Sequence, residues 1–448
     1  MFYKIRERMT RTQVIAFGYF LVIALGTILL MLPIATNPGK QTNFLTSLFT
    51  ATSATCVTGL VVVDTSTHWT LFGQTVILGM IQIGGLGFVT IGVLFAMFLN
   101  RKISLRMRGL LQESMNTSQV GGIVRLTKKV LKGTVIMEGI GAIVLSIRFI
   151  PEFGVQKGIG FSIFHAISAF CNAGFDLMGS TTGEYSSLVS YSNDLLVNVV
   201  IMSLIVIGGI GFLVWDDLTK NKFHFRRYML HTKIVLTATI VLIFGGAFLF
   251  YIFERHNLMA NMGIKETILT SLFSSVTART AGFNTIDTAG LTTSSKMLTS
   301  LLMFIGGSPG STAGGIKTAT IMVLFIYVGS NLRNSKECHI FGRRLEEDAV
   351  RRASNVAIIS LTMAVTASIT ICYLQPLSME DVVFEVFSAI GTVGMSTGIT
   401  RELNTVSRII IILLMYCGRI GSMAFALSLL ERKRAARVRY SVEKVMIG

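Results

Sequence analysis

The sequence predicts an all-α polytopic membrane protein. It has four pseudo-fourfold repeats, each an outer helix, a re-entrant pore helix with a filter loop, and an inner helix, around one central pore. Three observations carry this prediction. The 448 residues are 51% hydrophobic and only 14% charged, with a mean hydropathy of +0.65, too apolar for a chain that must cover its surface in water. Long apolar runs recur along its length. Between them lie four shorter stretches that resemble one another.

Eight long apolar spans are expected, at 13–35, 71–99, 130–150, 195–215, 232–253, 296–330, 354–374 and 407–430. The first, QVIAFGYFLVIALGTILLMLPIA, is too long for a signal-peptide core and ends in no clear cleavage site, so it reads as an uncleaved helix. Within each pair of spans sits a weaker stretch: LTSLFTATSATCVTGL (45–60), FSIFHAISAFCNAGF (161–175), LTSLFSSVTARTAGF (269–283) and FEVFSAIGTVGMS (384–396). Each is too short to cross a hydrocarbon core of about 30 Å. It can enter as a short helix and return as extended chain, which is tolerated at that depth only in a water-lined or protein-packed place. The glycines Gly59, Gly174, Gly282 and Gly394 align, each separated from the next by close to a quarter of the chain. A second landmark lies in the next span: IGGLGF (83–88), IGGIGF (207–212), IGGSPG (305–310) and CGRIG (417–421). Two landmarks in matching order argue for a fourfold internal repeat. The third turn is one residue shorter than the others from Phe273 to its glycine.

Charge sets the topology. Most Lys and Arg fall in 1–11, 101–129, 220–233, 333–352 and 431–444. The positive-inside rule puts these segments, and so both termini, on the cytoplasmic side of a multi-pass cell-membrane protein. The net charge of +17 therefore reads as topology, and no nucleic acid partner is expected. The organisation is repeat 1 (1–100), a basic cytoplasmic connector (101–129), repeat 2 (130–219), and repeat 3 with a broken inner helix (220–332). Repeat 4 comes next with its own cytoplasmic connector (333–430), then a basic cytoplasmic tail (431–448). Segment 100–129 and ERKRAARVRY (431–440) suit an acidic partner surface or anionic lipid head groups. The five cysteines form no CxxC pair and the six histidines are scattered; Cys56, Cys171 and Cys417 read as small packing residues. No nucleotide-binding loop, catalytic triad or metal-cluster spacing is present, so the chain reads as no enzyme and carries no cofactor of its own.

The aligned glycines have a chemical reading. A dehydrated cation needs oxygens in place of its water, and rings of backbone carbonyls supply them. Carbonyls aimed at one axis require dihedrals that a Cβ resists, hence glycine. The expected filter is Val57, Thr58 and Gly59; Asn172, Ala173 and Gly174; Thr280, Ala281 and Gly282; Thr392, Val393 and Gly394. Asp64, Asp176 and Asp287 come shortly after three of the glycines. They read either as outer-mouth acids that concentrate cations or as ordinary solvated loop acids.

Residues 304–317, FIGGSPGSTAGGIK, interrupt an apolar span with poor helix formers. As one helix, 296–330 would run about 52 Å, beyond a bilayer core of about 30 Å, so a break costs no reach. Gly306, Gly307, Gly310, Gly314 and Gly315 supply freedom. Ser308, Ser311 and Thr312 can bond the freed backbone, and Pro309 and Ala313 complete the loop. The expectation is a gate crossing the conduction path; the alternative is a static kink. Arg419 lies mid-helix, where a charge costs about 2.5–3.5 kcal/mol. It is expected to face the cavity, repel cations and bond the loop, or else to pair with Glu385. Lys317 either snorkels to the cytoplasmic side or acts at the loop. Glu138 reads as a polar contact between helices. The GGLGF and GGIGF strings read as close packing more than as hinges.

The turns TCVTGL, CNAGF, RTAGF and TVGMS, with STAGGIK after the third, resemble the Trk/Ktr/HKT superfamily of potassium transporters over nearly the whole chain. The membrane subunit of a Ktr system is the most similar. The resemblance implies potassium uptake, with potassium held at the filter residues named above, and one pore per chain. It implies a homodimer in membrane lipid and a cytoplasmic ring of nucleotide-binding regulatory subunits. It also implies a moving intramembrane loop and a pore-facing arginine. Glycine in all four turns implies potassium preference. Sodium dependence in some members keeps a sodium-selective or sodium-coupled transporter as the alternative. A non-conducting receptor or scaffold is the reading from another class.

Overall fold

A computed structural model describes residues 9–99, 103–115, 122–222, 224–335, 337–422, 425 and 443. The basic tail and part of the 101–129 connector lie outside these. The first quarter runs α1 (Arg11–Leu30), α2 (Phe44–Cys56), α3 (Leu71–Leu86) and α4 (Phe88–Phe98), with α5 (Leu105–Ser114) after it. The second runs α6 (Ile123–Phe153), α7 (Val155–Cys171), α8 (Leu195–Gly209) and α9 (Phe212–Asn221). The third runs α10 (Leu230–Glu254), α11 (Ile264–Thr277), α12 (Thr293–Phe304) and α13 (Thr318–Leu332). A small antiparallel hairpin, β1 (His339–Ile340) and β2 (Arg343–Arg344), precedes α14 (Glu347–Leu374), α15 (Met379–Gly391) and α16 (Thr405–Ile420).

Local chemistry sets many of the helix starts. Thr10 and Gln13 form a reciprocal capping box at α1. Asn43, Thr70, Asp194, Thr292, Ser378 and Asn404 each accept from a first-turn N–H of α2, α3, α8, α12, α15 and α16. Among the described residues, α1, α6, α10 and α14 are long and apolar enough to cross a membrane. Their outward side chains, such as Leu25, Ile143, Phe244 and Ile369, are exposed, as a lipid-facing surface requires. Inside them the short helices α2, α7, α11 and α15 are largely enclosed, and Phe49, Phe164, Phe273 and Phe384, matched in the four stretches, are all buried.

The expectation of eight long spans is corrected at the inner helices. The pairs α3–α4 and α8–α9 qualify as spans only together, and they are bent by 97° and 96°. The bends fall at Gly87 and Gly211, at φ 82° and 98°, and α16 ends at Gly421, also at φ 98°. That region strains any residue with a Cβ. In the first two strings the last glycine is thus a bend, the lesser of the two readings their sequence offered. The expected packing role belongs to the first: a Cβ on Gly84, Gly208 or Gly418 would collide with the carbonyl of Thr55, Phe170 or Ile390 at the end of a short helix.

Candidate ion pathway

The four short helices end alike. Two residues before each glycine the chain turns left-handed, at Val57, Asn172, Thr280 and Thr392. The next N–H then reaches back into the helix: Thr58 to Ser53 O, Ala173 to Ser168 O, Ala281 to Thr277 O and Val393 to Ser388 O, at 2.8–2.9 Å. A hydroxyl from the last turns of each helix braces the chain beyond it. Gly59 N and Gly394 N donate to Ser53 Oγ and Ser388 Oγ at 3.1 and 3.0 Å. Ser168 Oγ and Thr277 Oγ1 donate to Phe175 O and Phe283 O at 2.7 and 2.6 Å. The sequence reading missed these four hydroxyls, although aligning the four stretches on Phe49, Phe164, Phe273 and Phe384 exposes them.

The turns meet in cyclic order. A Cβ on Gly59 would lie 2.5 Å from Ala173 O, and one on Gly174 would lie 2.7 Å from Ala281 O. One on Gly282 would strike Val393 O, and one on Gly394 would strike Thr58 O, closer still. Each glycine therefore lies against the carbonyl that precedes the next glycine, and the circuit closes on the first turn. All twelve residues predicted for the filter lie in these turns. The missing residue of the third stretch is absorbed where α11 ends, four residues past Phe273 against seven past Phe49, Phe164 and Phe384. Gly282 keeps its place.

The four glycines open on one face into a cavity of about 330 Å³ that Asp64, Asp176 and Asp287 also line. The three acids differ. Asp64 caps the helical turn Thr65–His68, accepting from Ser66 N, Thr67 N and Tyr185 N, so it is a structural acid. Asp176 accepts from Met178 N at 3.0 Å, and burial pushes its carboxyl up to about 7. Asp287 accepts from Ala289 N and is exposed.

On the other face, loop 305–317 is bonded to the second and fourth quarters. Ser308 N and Thr312 N donate to Gly209 O and Gly208 O at 3.0 and 3.3 Å, Phe212 N donates to Gly310 O at 2.7 Å, and Gly315 N donates to Gly418 O at 3.2 Å. Thr312 Oγ1 donates to Phe170 O at 3.1 Å. Gly310 and Gly315 take φ of 65° and 64°. Gly306 and Gly307 lie at the loop's neck, where Ile305 pairs with Ile316 and Thr318 N donates to Gly307 O at 2.9 Å. Gly314 lies against Thr392. Pro309 fits the loop, its carbonyl facing Gly211.

Arg419 donates to Thr312 O in the loop and to Gly84 O and Gly85 O of α3. The alternative pairing with Glu385 is not found. Glu385 instead accepts from Ser396 Oγ at 2.8 Å and from Thr400 Oγ1. Lys317 does not snorkel: its ammonium donates to Ala313 O at 2.6 Å and Gly314 O at 3.3 Å. Beneath the loop lies a cavity of about 630 Å³, lined by Tyr19, Met115, Gly310, Ser311, Lys317 and Arg419 among others. Glu138 accepts from Gln82 Nε2 at 3.2 Å, a polar contact between α3 and α6 as expected. Cys56, Cys171 and Cys417 are buried and free.

A protein family described as TrkH, a cation transport protein, matches residues 4–434. The chain belongs to this family. It is 41% identical over 452 residues to the potassium/sodium uptake protein NtpJ of Enterococcus hirae, covering 99% of each chain. It is 42% identical over 443 residues to the Ktr system potassium uptake protein B of Bacillus subtilis, covering 98% of this chain and 97% of that one. Its fold is similar to the crystal structure of the potassium transporter TrkH from Vibrio parahaemolyticus, with a TM-score of 0.73 at 15% identity over 95% of this chain and 86% of that one. TrkH-family proteins are ion transporters and not enzymes, and this member is a multi-pass membrane protein.

Proposed function

We propose that the chain carries potassium into the cell through the ring of four turns, with both termini cytoplasmic. The closed circuit of glycine and carbonyl contacts supports this most directly. Four main-chain oxygens, those of Thr58, Ala173, Ala281 and Val393, follow one another round this circuit, the kind of set a cation needs in place of its water. In this reading the chain is a pseudo-fourfold array with α2, α7, α11 and α15 as pore helices. The outer cavity collects cations, and Asp176 and Asp287 favour their entry. Loop 305–317 is the gate: it bonds to α8, α9, α16 and the end of α7 beneath the ring. Arg419 holds it shut and repels cations from the passage. Two relatives carry potassium in their names, and one carries sodium as well, so sodium enters as a coupled or competing ion. The Ktr system name supports a partner subunit; in this reading the partner is the cytoplasmic nucleotide-binding regulator, and the membrane part the homodimer, that the resemblance implies.

The test is flux in reconstituted vesicles, paired with growth rescue at low potassium in cells lacking other uptake systems. Wild type should carry potassium in preference to sodium, and Gly→Ser variants at 59, 174, 282 and 394 should erode that preference. Shortening 306–315 should raise flux at rest. Unaltered selectivity in all four serine variants would remove the filter reading. Unaltered resting flux in a folded loop deletion would remove the gate.

A further inference from the structure

Three residues before their glycines the four turns carry Cys56, Cys171, Arg279 and Gly391. Three of these are small and one is a long cation. The third turn is also the one whose inner helix is interrupted by loop 305–317. Arginine and loop occur in the same repeat and nowhere else among the four.

Arg279 is 8% exposed, and no carboxylate faces it among the described residues. A guanidinium has five N–H donors. Here Nη2 donates to Thr318 Oγ1 at 3.3 Å, while Nε is buried without a partner. A buried charge so sparsely satisfied is costly, and an apolar side chain of similar volume would be cheaper. Its acceptor is at the loop's neck. Thr318 Oγ1 donates on to Gly306 O at 2.7 Å, and Thr318 N donates to Gly307 O at 2.9 Å. Behind Arg279 the chain enters Thr280 at φ 78°, then Ala281 and Gly282 in the ring. One line of bonds therefore joins the third turn of the ring to the base of the loop.

We propose that Arg279 is a positioning residue that latches the loop's neck to the third filter turn through Thr318, so that release of the loop and rearrangement of that turn are one coupled event. This rests on the gating reading above. It adds a route by which the ion held in the ring and the position of the loop influence each other.

Thr318→Val removes the hydroxyl at nearly constant size. In vesicles, the folded variant should show a rise in resting potassium flux of about three- to tenfold, the effect of one ordinary hydrogen bond, together with a lower potassium-over-sodium preference. A neck that is merely loosened would raise the flux of both ions equally and leave the preference unchanged; that outcome refutes the coupling. Thr318→Ser should restore both readouts. In the 306–315 deletion, adding Thr318→Val should raise flux no further. If the deletion raises resting flux while folded Thr318→Val matches wild type in both readouts, the latch is wrong and the gate stands. If the deletion itself leaves resting flux unchanged, the gate reading falls and the latch with it. Should Thr318→Val not be recovered in folded form, Arg279→Lys supplies the same two readouts with the charge kept and the fork removed.

Discussion

The ring of turns and the loop beneath it are both rich in glycine and hydroxyl residues, yet they are held in opposite ways. Each turn of the ring is secured by its own short helix: its N–H bonds run back four or five residues, and its brace comes from the same segment. Its glycine is required because a neighbouring carbonyl leaves no room for a Cβ. The loop is secured by borrowed groups, namely the carbonyls of Gly208, Gly209, Gly418 and Phe170 and the guanidinium of Arg419. Bonds within one segment survive motion between segments, whereas borrowed bonds break when neighbours shift. The same residue types thus build one element braced from within its own segment and one held by its neighbours.

The largest effect should come from attacking the ring. Gly394→Ser places a Cβ on Thr58 O in a backbone region that side chains resist. Overpacking costs about 1–3 kcal/mol, and at about 1.4 kcal/mol per decade this corresponds to roughly a five- to hundredfold loss of potassium flux or selectivity, read by ion competition in vesicles. Next is Arg419→Gln, which removes charge-assisted bonds worth about 1.5–3 kcal/mol each. Resting flux should rise by about tenfold or more, with a smaller fall in potassium preference carried through the loop's neck; a rise with no change in preference would separate the loop from the ring. Ser53→Ala and Ser388→Ala probe the braces. Each should cost about 0.5–1.5 kcal/mol and lower potassium preference a few-fold with resting flux unchanged; raised resting flux would blur the contrast between the two regions.

The smallest effect concerns the outer cavity. The Asp176 carboxyl sits at about 7, so it is neutral below that pH and charged above it. Influx from dilute external potassium should rise about twofold as external pH goes from 6 to 8, the scale of one attracting charge near water. Asp176→Asn should flatten the profile at the low-pH level. A profile that persists in that variant places the titrating group elsewhere.

The membrane class, the interrupted third span and the four matched glycine turns that the structure brings together were legible in the chain. Each rests on properties a residue carries with it: transfer free energy, helix propensity and tolerance of positive φ. The aligned hydroxyls at Ser53, Ser168, Thr277 and Ser388 were legible too and went unread. The bends at Gly87 and Gly211 were not, because a glycine next to a phenylalanine in an apolar run serves packing and bending equally well until neighbours are in place. Likewise a lone mid-helix arginine does not announce its acceptors. That Arg419 chose loop and α3 carbonyls over Glu385, that Lys317 turned inward, and that Asp64 was spent on a cap were decided by residues far away in sequence. Local preference comes from covalent structure and solvent, so sequence alone determined what the pieces are. Which polar group satisfies which depends on distances that exist only after the four quarters close around their axis.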